Sequence, residues 1–149
     1  MRRFRYRLDR LLRYRRSLAQ RERIRLAERV GALNREEEHK VRLQKVRNET
    51  LVRRLRALET GLTAREMGNL HYHLLRVEEA IDRTELNIRN AEIEVEKARA
   101  ELVKRRRDER AIELHRDRRW KVWLRDYNRD ESRTLDDMAT VRHVRGASA

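Results

Sequence analysis

LHYHLLRVEEAIDRTELNIRNAEIEVEKARAELVKRRRDERAI, residues 70–112, decides the fold. Alternating steps of four and three residues land on Leu70, Leu74, Val77, Ile81, Thr84, Ile88, Ala91, Val95, Ala98, Leu102, Arg105, Glu109 and Ile112. Ten of these thirteen positions are apolar, and the residues between them are mostly charged. A narrow apolar seam with a period of about 3.5 residues is the coiled-coil pattern. Such a seam cannot enclose a globular core and needs one partner helix.

The rest of the chain supplies that helix. Phe4, Leu8, Leu11, the Arg15 position and Leu18 follow the same rule. Leu26, Val30 and Leu33 form a second group, and Leu51, Leu55, Leu58 and Leu62 a third. Each group is displaced by one residue from strict heptads, which predicts local changes in supercoil winding. Between Asn34 and Thr50 the seam positions fall on Glu37, Lys40, Gln44 and Arg47, with Val41 and Val46 as neighbouring substitutes, so a loosely packed waist is expected there. The chain breaks at Gly61, a left-handed helix terminator. Thr63 followed by Glu66 reads as a capping box that opens the next helix.

The predicted fold is all-α, a single long antiparallel coiled-coil hairpin. Helix 1 spans about 3–59, the turn about 60–62 and helix 2 about 63–143, with a frayed tail at 144–149. A connection this short makes the helices antiparallel neighbours, with facing residue numbers summing to about 122. Helix 2 outruns helix 1, so residues past Trp120 have no intramolecular helix to meet.

Composition agrees with a hairpin of this kind. Charged residues make up 44% of the 149, aromatics 5%, and proline is absent. High charge with low hydropathy is also the signature of disorder, but sustained heptads of good helix formers oppose that reading. The lack of cysteine excludes disulfides and thiol chemistry. No run of the sequence is apolar enough to span a membrane. The net charge of +14 is uneven: residues 1–30 carry twelve arginines and three acids, 31–98 are balanced, and 99–129 carry twelve bases and six acids. A hairpin gathers both basic segments at the end that holds the termini.

No catalytic constellation is present, and an enzyme is not expected. His71 and His73 point to opposite sides of a helix and cannot share a metal; no cofactor is implied. Trp120, Trp123, Leu124 and Tyr127 form a stripe at i, i+3, i+4 and i+7. It can pack on Phe4 and Tyr6, which the facing rule places near residues 118 and 116. It can equally dock another protein, because Trp and Tyr are favoured interface anchors. The basic run Lys104–Arg107 and a pI of about 11.2 keep a basic coiled-coil nucleic-acid-binding module open as an alternative. The antiparallel return does not favour it.

The opening Phe4-Arg5-Tyr6-Arg7-Leu8-Asp9-Arg10-Leu11-Leu12-Arg13-Tyr14-Arg15 resembles that of the FliJ family, small coiled-coil stalk proteins of flagellar type III export. The turn Gly61-Leu62-Thr63-Ala64 and the ending Leu135-Asp136-Asp137-Met138-Ala139, with Arg142, are similar to the family's as well. The resemblance implies a non-enzymatic stalk and coupling protein, cytoplasmic and peripheral at the inner face of the cell membrane, with no small-molecule substrate, and monomeric when alone. It implies insertion of the terminal end into the ring of the export ATPase, which makes Arg2, Arg3, Arg5, Arg7, Arg13, Trp120, Trp123, Tyr127, Leu135 and Met138 the docking candidates. It further implies contacts with export chaperones and with the export-gate membrane protein, the latter through His73, Val77, Ala80 and Thr84. The equivalent stalk protein of a non-flagellar injectisome fits the same residues.

Overall fold

The computed structural model describes residues 3–61 and 63–146, the last six as backbone alone. Two helices carry nearly all of it: α1, Asp9–Thr60, and the longer α2, Ala64–Gly146. They pack antiparallel as a two-helix hairpin, and the chain divides into two units that are described in turn.

Residues 20–103 form the unit that contains the turn. Gly61 takes a φ of 78°, a left-handed conformation open to glycine at little cost, and its N–H donates to the Ala57 carbonyl, closing α1. The capping box forms as the spacing requires. The Glu66 carboxylate accepts from the Thr63 N–H at 3.0 Å and pairs with the Thr63 hydroxyl at 2.6 Å, while the hydroxyl accepts from the Glu66 N–H. Every seam position of α2 from Leu70 to Leu102 is buried or half-buried, most deeply at Leu74, Val77, Ile81, Thr84 and Val95. Thr84 sits there at little cost because its hydroxyl donates to the Ala80 carbonyl one turn back.

The α1 side of this unit departs from the sequence reading. Thr50 and Ala57 are buried and Arg47 and Arg54 half-buried, whereas Leu51, Leu55 and Leu58 are exposed; Leu62 lies outside the described residues. The one-residue slips do not occur. The buried or half-buried positions Glu22, Leu26, Leu33, Glu36, Lys40, Leu43, Arg47, Thr50, Arg54 and Ala57 keep close to an unslipped heptad. The reason is mechanical. The α2 seam is unbroken, and a slip in α1 alone would rotate its contact face away from that seam by about 100° per residue. Continuity of the interface therefore outweighs the burial of three leucines. The polar waist does face α2: Lys40 pairs with Glu85 at 2.9 Å, and Glu36 accepts from Asn87 at 3.4 Å. These pairs sum to 125 and 123, close to the expected register.

The second unit consists of the chain up to Ala19 and from Lys104 onward. Helix α1 begins at Asp9 rather than near Arg3, with the Asp9 carboxylate in the first turn, where the helix dipole favours negative charge. Leu12, only 1% exposed, and Ala19 are its buried apolar contacts. Ion pairs join the two helices here: Arg15 to Asp108 at 2.9 Å, and Arg16 to Glu109 at 3.4 Å and to Glu113 at 2.7 Å.

Two measurements test this register. Leu12→Ala should cost about 2–4 kcal/mol, the range for truncating a buried leucine, whereas Leu55→Ala should stay within about 0.5 kcal/mol; denaturant melts that rank them in the opposite order would refute it. The hydrogen bonds from Thr63 hold the Glu66 carboxyl below its usual range. The cap therefore stabilises α2 fully above the ordinary carboxylate range and is lost as pH falls through the depressed value. Amide exchange in the first turn of α2 should accelerate over that acidic window in the parent protein, and already at neutral pH in Thr63→Ala.

Candidate functional site

The terminal unit holds six of the chain's seven aromatic residues, all but Tyr72. Before α1 begins, residues 3–6 run as a non-helical segment along α2. Phe4 meets the Trp120 ring edge-on at 5.2 Å between centroids and Trp123 at 5.8 Å. Trp123 stacks on Trp120 at 5.0 Å and on Tyr127 at 5.3 Å. Two residues later Tyr6 sits over His115, its hydroxyl 2.8 Å from Nδ1 and 3.3 Å from the Ile112 carbonyl. A hydroxyl that donates to the carbonyl and accepts from Nδ1–H satisfies both partners. An extended strand advances about twice as far per residue as a helix. Two residues of it thus rise about as far as four helical residues, close to the spacing of His115 and Trp120.

This arrangement answers the two readings of the aromatic stripe. Trp120 and Trp123 pack on Phe4, near the residues the facing rule named, so α2 beyond Trp120 does meet the rest of the chain, through a non-helical segment rather than a helix. Trp123 and Tyr127 are half-buried, while Trp120, Leu124, Leu135 and Met138 remain exposed. Arg3, Arg5, Arg7 and Arg13 are exposed, Arg13 paired with Asp9 at 3.3 Å; Arg2 lies outside the described residues. Arg5, Arg7, Arg119, His115, Phe4 and Trp123 line part of an open cleft of about 650 Å³. The Arg16 guanidinium, followed by that of Arg110, draws the Glu113 carboxyl below its usual range despite some desolvation.

On early α2 the four gate candidates do not share a surface. His73 is exposed and Ala80 half-buried, but Val77 is 6% exposed and Thr84 3%, both turned toward α1. The exposed apolar residues there are Tyr72 and Leu75, with Leu86 and Ile93 further along, and the Arg76 guanidinium lies 5.9 Å from the Tyr72 ring centre. Sequence reasoning missed them because the seam absorbed attention. The signal was present: Tyr72, Leu86 and Ile93 recur at multiples of seven. Among the described residues no cluster of three metal-ligating side chains occurs, and no helix is long and apolar enough to cross a membrane.

Fold and surface together define a two-helix coiled-coil hairpin with a basic, aromatic terminal unit. Comparison with known proteins gives the class its family. The family described as flagellar FliJ protein matches residues 4–148, and the chain belongs to it. No curated protein matches the sequence. Among solved structures, CT670 from Chlamydia trachomatis, described as a YscO homolog, is similar: 25% identity, a TM-score of 0.61, and coverage of 95% of this chain and 96% of that one.

The aromatic cluster is structural here, so Trp123→Ala should lower stability by about 1–3 kcal/mol, through lost burial and ring contacts, and Phe4→Ala should shift the tryptophan fluorescence. Arg16→Gln should cost under about 1 kcal/mol, since both partners are partly solvated. That difference is full near neutral pH and fades in acid, as Glu113 protonates through its depressed value. Carboxyl NMR titration should show Glu113 moving up in the variant.

Proposed function

We propose that this protein is a non-enzymatic stalk and coupling factor of the type III export apparatus, flagellar by its family. The observation that carries the reading is the family match over nearly the whole chain, and the similarity to a YscO homolog across the length of both chains supports it. In this reading the terminal unit enters the ring of the export ATPase, promoting its assembly and turnover. Arg3, Arg5 and Arg7 offer charge for steering, and Trp120, Leu135 and Met138 offer exposed apolar contacts. Trp123 and Tyr127 act by holding the non-helical segment that carries the arginines. Export chaperones and the gate protein are further partners. The gate contact on early α2 falls on the exposed face with Tyr72, His73 and Leu75, since Val77 and Thr84 are occupied by α1. The site of action is the cytoplasmic side of the membrane.

Mixing the purified protein with its cognate export ATPase should raise turnover and ring formation. Arg5→Glu with Arg7→Glu should reduce that effect several-fold without altering the melting temperature. A lack of stimulation by the parent protein at both low and moderate salt would refute the proposal.

A further inference from the structure

The leucines that leave the α1 seam do not scatter. Val41, Gln44, Asn48, Leu51, Leu55 and Leu58 again alternate steps of three and four, a second heptad lying one residue beside the first. Its apolar members are open: Val41 is 64% exposed, Leu55 63% and Leu58 65%, with Leu51 less so, and the neighbouring Val52 is exposed as well. A helix with two adjacent heptads is built to pack against two helices, and in this unit α2 occupies only one of them.

Three kinds of occupant could cover such a stripe, and its chemistry separates them. A membrane surface calls for a broad apolar arc, whereas this stripe is two positions wide and includes Gln44 and Asn48. A second copy of the same face would set like charges together, because residues 40–58 carry seven Lys or Arg and one acid, Glu49. The borders repeat that bias. One residue before Val41, Asn48 and Leu55 stand Lys40, Arg47 and Arg54, and Lys45 follows Gln44. Lys40 already holds Glu85. The Arg47 Nε is buried with no acceptor among the described residues, and Arg54 forms no ion pair among them.

We propose that the outer face of α1 over residues 41–58 is a docking site for one further α-helix. That helix belongs to a partner protein and carries apolar heptads flanked by glutamate or aspartate, completing a three-helix coiled coil in the turn-containing unit. The site rests on the geometry of α1 and not on the export reading, so either can fail alone.

The test uses the full chain and two synthetic heptad peptides. Both have leucine at the core positions; one has glutamate and the other lysine at the flanks. Glutamate flanks keep the acidic peptide from pairing with itself. By fluorescence anisotropy the acidic peptide should bind, should weaken as salt rises, and should exceed the lysine peptide by roughly tenfold or more. Leu55→Asp with Leu58→Asp should remove the binding, while an unchanged melting temperature shows the hairpin intact; Arg47→Glu with Arg54→Glu should reverse the peptide preference. No binding of the acidic peptide, equal binding of both, or undiminished binding to the leucine variant would overturn the proposal. So would association of the parent, lost in that variant, with vesicles of phosphatidylcholine and phosphatidylglycerol in equal parts. Self-association in sedimentation that the same variant abolishes would assign the face to a second copy instead.

Discussion

A helix that offers two apolar positions in seven can keep them dry only against another helix that repeats at the same pitch. Each turn of α2 contributes about one large side chain, and α1 must present a surface to it at every turn. In the turn-containing unit that surface is modest: Thr50 and Ala57 are small, and Arg47 and Arg54 lie along the interface with their aliphatic stems. The most deeply buried large residues near the turn are on α2, at Leu74, Val77 and Ile81; further from the turn α1 adds the half-buried Leu26, Leu33 and Leu43. Several of the interface's polar positions have a local partner, a helix carbonyl for Thr84 and a facing carboxylate for Lys40.

The same demand for continuity explains which features could be read from the sequence. The α2 seam was legible throughout, because its apolar positions are regular and its neighbours are charged. The turn was legible because Gly61 and the Thr63–Glu66 pair have strong local chemistry. The α1 seam near the turn was not. Leu51, Leu55 and Leu58 are the more hydrophobic choice, and pattern reading weighs residues singly, whereas the hairpin selects a register along its whole length. The start of α1 was misplaced for a related reason. Phe4 and Leu8 fit a helical spacing, but the acid at Asp9 marked the first turn, and Phe4 reaches the tryptophans from extended chain.

The functional surface was legible in part. The aromatic stripe was identified correctly as a cluster, and the facing rule named its partners within a few residues. It could not say that the stripe would be shared between packing and exposure, with Trp123 inside and Trp120 at the surface. The candidates on early α2 were carried over from the family resemblance at a fixed spacing, and spacing alone does not distinguish the inner side of a helix from the outer. Val77 and Thr84 share the period of the seam, and the seam claims them.

Gly61 and the two registers it joins also limit how such a chain can change in length. One residue added to either arm would turn all that follows by about 100° and separate the seams. Seven added to one arm would restore the angle but displace every facing pair. Length can therefore drift only in matched seven-residue steps, one in each arm at the same level, with the glycine turn left untouched. Substitution at exposed positions is free by comparison. Proteins built this way should diverge widely in composition while keeping their span.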